Sequence, residues 1–126
     1  MKRIFLVLLP ILFSLQACQT NPSINSLTSE QRAQVVNMDL YKSDVSKPRE
    51  VLGPVKGLSC QRNAYARHIV SEEEAIEGVK IRAAQLNADA VINILCQKNT
   101  STDWENNCWS SVVCIGDAIK YSKDTD

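Results

Sequence analysis

The sequence has little of what catalytic and nucleic-acid-binding proteins commonly use. Its 14 basic and 14 acidic residues cancel, so the charge balance indicates no basic surface for nucleic acid. A single histidine, His68, excludes catalysis by paired histidines and a metal site made of several histidines. There is no Cys-x-x-Cys motif, the usual mark of a structural zinc site or a thioredoxin-like redox centre. We therefore expect no enzyme, no metal and no cofactor.

Long hydrophobic runs are also missing, and a shorter one opens the chain. After the basic residues Lys2 and Arg3, the run Ile4–Leu15 is apolar and uncharged. A membrane-spanning helix needs about 20 such residues, so this run is too short for a stable span. It is typical of the apolar part of a secretory signal peptide, and we predict that residues 1–17 are removed on export.

The end of this run predicts a lipid anchor. Leu15-Gln16-Ala17-Cys18 resembles the lipobox of bacterial lipoproteins, in which the cysteine sulfur receives a diacylglycerol and the new amino terminus is acylated. Three acyl chains on Cys18 would make the anchoring effectively permanent, whereas a single chain holds only marginally. The alternative is an ordinary cleaved signal followed by a chance cysteine. In enterobacterial lipoproteins an Asp after the cysteine favours the inner membrane, so Gln19 favours the outer membrane.

The rest of the chain has the composition of one globular domain. The full sequence of 126 residues is 44% hydrophobic and 22% charged, which argues against a wholly disordered chain. Residues 18–34 are polar and show no sustained periodicity, which predicts a flexible lipidated tether. Residues 35–126 are predicted to form a single small domain.

The apolar pattern of this domain predicts an α+β fold. Ser71 followed by Glu74 is a capping box, and an apolar stripe at helical spacing continues from there towards Asn87, where we expect the helix to end. The predicted strands are Val35–Tyr41, Glu50–Leu58, Ala90–Cys96 and Cys108–Tyr121, and the predicted loop is Gln97–Asn107. We expect a small disulfide-bonded sheet of about four strands with one main helix on one face. Gly116 is predicted to mark a bulge.

Four cysteines remain in the predicted domain: Cys60, Cys96, Cys108 and Cys114. An even number of cysteines in a small exported domain predicts structural disulfides. If Cys108 and Cys114 belong to one extended strand, they lie about 20 Å apart, whereas a disulfide needs its Cα atoms within about 7 Å. Two pairings stay open: Cys60–Cys108 with Cys96–Cys114, or Cys60–Cys114 with Cys96–Cys108.

Several motifs of the domain together resemble a known family. The motifs are Gly57-Leu58-Ser59-Cys60-Gln61, Asn87-Ala88-Asp89-Ala90-Val91, Cys96 at a strand end, and Cys108-x5-Cys114-Ile115-Gly116. This set is similar to the RcsF family, outer-membrane lipoproteins that sense envelope damage for the Rcs phosphorelay of enteric bacteria. The resemblance covers residues 51–121 together with the lipobox. It implies the pairing Cys60–Cys108 and Cys96–Cys114.

The resemblance also implies a function without chemistry. A protein of this family is assembled with outer-membrane β-barrel proteins by the barrel-assembly machine, and its domain lies in the periplasm. When lipopolysaccharide or peptidoglycan is disturbed, the domain contacts an inner-membrane repressor and relieves inhibition of the phosphorelay. The family's tether is longer and rich in proline, whereas this one has only Pro22, so threading of the tether through a barrel to the cell surface stays open. The alternative function is a structural or assembly lipoprotein that docks passively on outer-membrane proteins.

Two tryptophans are the candidates for contact with a partner. Trp104 lies within an otherwise polar loop, and Trp109 directly follows Cys108. Tryptophan is enriched among the residues that dominate interface energies, so an exposed tryptophan predicts a contact surface. The alternative is that Trp104 folds back over the Cys96–Cys114 bridge.

Overall fold

A computed structural model describes residues 21–65 and 69–123 of the chain. The predicted signal peptide, the predicted lipidation residue Cys18 and the single histidine, His68, lie outside the described residues. Within the described ranges, no helix is long and apolar enough to cross a membrane.

The described residues form a four-stranded mixed sheet. Its strands are β1 (Asp39–Leu40), β2 (Arg49–Gln61), β3 (Ala90–Asn99) and β4 (Ser110–Tyr121). The strand order is β1-β3-β4-β2; β1 is parallel to β3, and β4 is antiparallel to both β3 and β2. The α+β class and the sheet of four strands predicted from the sequence are confirmed.

One long helix covers a face of this sheet. Helix α2 spans Glu72–Gln85, and the Ser71 hydroxyl accepts a hydrogen bond of 3.2 Å from the backbone N–H of Glu74. Three glutamates in the first turn complement the positive end of the helix dipole. The helix ends at its C-cap, Leu86, and Asn87 follows in the left-handed conformation with φ 58°. Both predicted ends of this helix are confirmed.

Helix α2 lies directly against β2. A Cβ atom at Gly57 would overlap the carbonyl oxygen of Ala75, so only glycine allows the helix backbone to come this close. Small buried residues on the helix serve the same close packing: Ala75, Ala83 and Ala84. Between helix and sheet they form the main core together with Val79, Val91, Val112, Cys114 and Ala118.

The structure differs from the sequence interpretation between residues 21 and 41. A short 3-10 helix spans Ile24–Ser26, and helix α1 spans Ser29–Asn37, where a flexible tether and then a strand were predicted. The reason is local: Thr28 and Gln31 form a reciprocal capping box. Leu27 and Val35 are buried in the main core, which is enough to hold a short helix against α2. The predicted first strand shrinks to β1.

Other details of the sheet also differ from the prediction: β2 continues to Gln61, and β4 begins at Ser110. Strand β3 continues to Asn99, so the polar loop before β4 comprises residues 100–109. One register shift lies in β2 between Val51 and Gly53 and another in β3 between Ile92 and Leu95, and neither lies in β4 at Gly116. Gly116 faces the shifted segment of β3, and a Cβ there would overlap the side chain of Val91. The glycine accommodates the irregularity of its neighbour strand.

Candidate functional site

We use the term loop end for the end of the sheet where β2 and β3 finish and β4 begins. Its described residues are 62–65 and 69–71 from the connection between β2 and α2, and 100–109 from the connection between β3 and β4. The opposite end of the sheet carries a second core, described in the Discussion. The loop end holds both candidate tryptophans and one of the disulfides.

The Cys96–Cys114 disulfide joins the two central strands. The two residues are directly opposite each other in the β3–β4 register, with their Cα atoms 4.0 Å apart. Cys114 is fully buried and belongs to the core under α2. Since paired residues share a face of the sheet, this bridge lies on the helix-covered face.

The Cys60–Cys108 disulfide lies on the other face of the sheet. Cys60 is opposite Ser111 in the β2–β4 register, one step out of phase with Cys114, and side chains alternate between faces along a strand. The Cα atoms of Cys60 and Cys108 are 5.4 Å apart. Both bridges correspond to the pairing that the resemblance implies. This second bridge fixes the 100–109 loop to the edge strand β2.

The 100–109 loop is a tight turn rather than an open coil. Asp103 and Cys108 pair as an isolated antiparallel bridge, with N···O distances of 2.8 and 2.9 Å. Asn107 has a left-handed conformation with φ 56°, which closes the turn. The side chain of Lys56 donates to Asn106 at 3.1 Å and attaches the turn to β2.

The Asp103 carboxylate organises this turn from inside. It accepts hydrogen bonds from the Ser111 hydroxyl at 2.6 Å, the Asn106 amide at 2.8 Å and the Asn106 backbone N–H at 3.1 Å. Burial by itself would raise the pKa of this carboxyl, but these hydrogen bonds outweigh it, and the pKa of Asp103 is lowered from its usual value. The turn therefore rests on an ionised, hydrogen-bonded carboxylate.

The same turn holds both tryptophans at the surface. The side chains of Trp104 and Trp109 are 85% and 54% exposed, and both line one shallow cavity of about 270 Å³. Trp104 does not pack over the Cys96–Cys114 bridge, which lies on the far face of the sheet, so that alternative is wrong. The fold brings the two tryptophans together because the Asp103 turn places them on either side of the loop's closing pair.

Further exposed apolar side chains flank the β2–α2 connection at this end. Tyr65 is 97% exposed and Ile69 is 86% exposed. Neither residue can be singled out from the sequence, because an isolated tyrosine or isoleucine in a loop carries no periodic signal. Their common position becomes visible only once the strand order is known.

Asn21 forms a contact that sequence reasoning missed. Its amide nitrogen donates to the carbonyl of Leu58 at 2.6 Å and to the carbonyl of Glu74 at 3.3 Å, and its amide oxygen accepts from the N–H of Leu58 at 2.8 Å. The side chain thus pairs with the open edge of β2 as a neighbouring strand would. A Cβ at Gly78 would overlap the Asn21 amide. A glycine inside a helix costs about 1 kcal/mol relative to alanine, so Gly78 was the available signal of a close approach.

No group of three or more His, Cys, Asp or Glu side chains that could hold a metal ion occurs among residues 21–65 and 69–123. What the loop end does present is exposed aromatic rings on a turn that is fixed by hydrogen bonds and a disulfide. Such rings are suited to contact with another surface.

Comparisons with known proteins identify the family of the chain. No curated protein matches the sequence significantly. Among solved structures, the fold is similar to the crystal structure of a protein of unknown function from the DUF74 family of Pediococcus pentosaceus, with a TM-score of 0.51 and 14% identity over 68% of this chain and 98% of that one. The family model of the RcsF lipoprotein matches residues 14–122. The chain therefore belongs to the RcsF lipoprotein family.

Proposed function

We propose that the protein is an outer-membrane lipoprotein that senses damage to the cell envelope and signals by contact to the inner-membrane Rcs phosphorelay. The observation that carries this proposal is the family match over residues 14–122, which includes the lipobox and all five cysteines. The Cys60–Cys108 and Cys96–Cys114 bridges support a periplasmic domain, since disulfides persist in oxidising compartments.

The first element of the function is the lipid anchor on Cys18. The short apolar run and the Leu15-Gln16-Ala17-Cys18 motif support it. Mass spectrometry of the mature protein from membranes is expected to find Cys18 as the first residue, with a diacylglycerol on its sulfur and an acyl group on its nitrogen. A mature chain that begins elsewhere, or a free thiol at Cys18, would contradict the anchor.

The second element is regulated contact with other envelope proteins. The partners we propose are outer-membrane β-barrel proteins with the barrel-assembly machine, and the inner-membrane repressor of the phosphorelay. Only Gln19 and Thr20 separate Asn21 from the proposed anchor at Cys18, so such contacts form close to the outer membrane while the Asn21 hydrogen bonds hold. Crosslinking in cells followed by purification of the lipoprotein is expected to capture β-barrel proteins in unstressed cells.

Deletion of the gene tests the signalling function directly. An Rcs-dependent reporter is followed before and after damage to lipopolysaccharide, in the wild type, the deletion strain and the deletion strain with the gene restored. A sensor predicts that the deletion abolishes induction and that the restored gene recovers it. A passive docking module predicts a reporter that is active without any damage, and that result would refute the proposal.

A further inference from the structure

The described part of the chain begins with Asn21, which lies at the loop end. Asn21 lies between the edge of β2 and the first turn of α2, and it shares a small cavity of about 240 Å³ with Cys60 and Arg62. Only Gln19 and Thr20 separate Asn21 from Cys18. Three residue steps span at most about 10 Å when fully extended.

This short reach restricts where the domain can be relative to the anchor. The argument rests on the proposed lipidation of Cys18, which places the acylated sulfur at the membrane surface. The headgroup region adds only about 5 to 8 Å to each side of the hydrocarbon core. The Asn21 contacts therefore keep the loop end beside the headgroups, unless they break.

The side chains at this end suit such a position. Trp104, Trp109 and Tyr65 are exposed there, and Ile69 adds an aliphatic side chain. Tryptophan and tyrosine are enriched at membrane–water interfaces because their amphipathic rings sit at the level of the headgroups. The chain has two tryptophans in all, and both are here.

The charges and the rigidity of the loop end point the same way. Arg62 lines the same cavity as the two tryptophans, and the exposed Glu105 directly follows Trp104. With one charge of each sign beside the rings, this surface matches a zwitterionic lipid surface rather than an anionic one. The Cys60–Cys108 bridge and the Asp103 hydrogen bonds fix the turn, so little conformational entropy is lost when Trp104 settles at a surface.

We propose that the loop end docks on the phospholipid surface that carries the anchor, with Trp104 and Trp109 in the headgroup layer. The domain then lies on its own membrane through a second, non-covalent contact. Lipid anchor and aromatic contact act together because the tether gives the loop end a high effective concentration at the membrane.

Tryptophan fluorescence tests the proposal without an added label. The lipidated full-length mature protein is reconstituted into phosphatidylcholine vesicles, with and without bromine atoms near the upper part of the acyl chains. We expect bromolipid to quench the tryptophan emission. We also expect the emission of the vesicle-bound protein to be shifted to the blue relative to a reference without lipid, in which the anchor is bound to a soluble carrier protein. Trp109→Phe and Trp104→Phe leave one tryptophan each, and Trp104 is expected to be quenched more because it is the more exposed.

A longer tether is the matched control. Insertion of a flexible Gly-Ser segment of about 20 residues between Thr20 and Asn21 lowers the effective concentration of the loop end at the bilayer. Quenching is expected to decrease in this variant, while flotation with the vesicles stays complete. Equal quenching in both proteins would mean that the position of Asn21 has no part in docking and would overturn the argument.

The outcomes separate this inference from the function on which it rests. A chain that does not float with vesicles lacks the anchor, and then both the proposed lipidation and this inference fail. A chain that floats without quenching retains its anchor and overturns this inference alone. If bromolipid does not quench the tryptophan emission, but purified outer-membrane β-barrel proteins shift that emission to the blue, the tryptophans contact a protein partner instead.

Discussion

The two ends of the sheet use aromatic residues in opposite ways. At the loop end, Trp104 and Trp109 extend into solvent from a braced turn. At the other end, which we call the packed end, Tyr41 and Tyr121 pack with Val45 on a second core of Ala90, Ile92 and Ile119. The same class of side chain therefore builds the fold at one end and is left available for contact at the other.

At the packed end, the aromatic side chains are held by polar and charged neighbours. A hydrogen bond with Tyr121, together with partial burial, raises the pKa of Tyr41 to about 12. The Lys47 ammonium lies 4.3 Å from the centre of the Tyr121 ring, within the range of a cation–π contact. The tyrosines at the packed end are held by such neighbours, whereas the tryptophans at the loop end are exposed. Exposed aromatic side chains are therefore a feature of the loop end in particular.

The largest expected effect comes from the disulfide that braces the loop end. The Cys60–Cys108 bridge closes a loop with a sequence separation of 48 residues. In the chain-entropy model, its removal in the Cys60→Ala/Cys108→Ala variant costs about 4 kcal/mol. Urea unfolding of the two proteins measures this difference. A loss below about 1 kcal/mol would mean that the bridge does not brace the fold.

The packed end is expected to respond strongly to loss of a core side chain. Ile119 is fully buried, so Ile119→Ala should lower the free energy of unfolding by about 3 kcal/mol. Ile115 is the matched control, because it lies on the same strand and the same face but is 48% exposed. Thermal melts of the two variants compare them. Similar losses in Ile119→Ala and Ile115→Ala would contradict the assignment of the second core.

The charge of Asp103 is expected to make the stability of the fold depend on pH. Burial opposes this charge, but the hydrogen bonds from Ser111 and Asn106 keep the pKa of Asp103 below 3.8, its usual value. Its ionised form therefore stabilises the fold above the unfolded pKa, and this stabilisation is lost as the pH falls through the folded pKa. Asp103→Asn should lose about 1 to 3 kcal/mol near neutral pH.

A pH series of urea unfolding checks this prediction. The difference between wild type and Asp103→Asn is expected to narrow below about pH 4, because the unfolded wild-type chain takes up a proton at this carboxyl before the folded chain does. Glu105→Gln, which removes an exposed carboxylate from the same turn, is the matched control and should change the free energy of unfolding by no more than about 0.5 kcal/mol near neutral pH. A constant difference for Asp103→Asn at every pH would indicate that the packing of the side chain matters and its charge does not.

The smallest expected effect on stability belongs to the most exposed tryptophan. Because Trp104 is 85% exposed, Trp104→Ala should change the free energy of unfolding by no more than about 0.5 kcal/mol. The same melt experiment as for Ile119→Ala measures it. A loss of about 3 kcal/mol would instead mean that the ring is packed and would remove the contrast between the two ends.

The parts of the fold that sequence reasoning predicted depend on local interactions. Ser71 and Glu74 are three residues apart, and the Ser71 cap that this spacing predicts marks the start of α2 directly. The left-handed Asn87 likewise marked its end. The resemblance supplied the disulfide pairing, which spacing had left open between two alternatives.

The parts that escaped prediction depend on contacts between distant residues. Helix α1 has a capping box at Thr28, but Val35 is its buried side chain, with Leu27 buried just before it, and one buried position gives no apolar stripe. Asn21 is paired with Leu58 across 37 positions of the chain. The exposure of Trp104 depends on the hydrogen bond between Ser111 and Asp103 and on the disulfide from Cys108 to the distant Cys60. Neither interaction can be recognised from the composition of the loop.

The proposed function combines an outer-membrane anchor on Cys18 with contact to an inner-membrane repressor on damage, and it therefore requires that the anchor keeps the domain from the repressor in undamaged cells. The most direct measurement is the Rcs reporter in undamaged cells whose only copy is a Cys18→Ala form, exported to the periplasm with an ordinary cleavable signal peptide. The account predicts a reporter that is active without damage, since the released domain reaches the repressor freely. A reporter that stays inactive, while immunoblots show the oxidised, folded domain at wild-type amounts, would contradict the account.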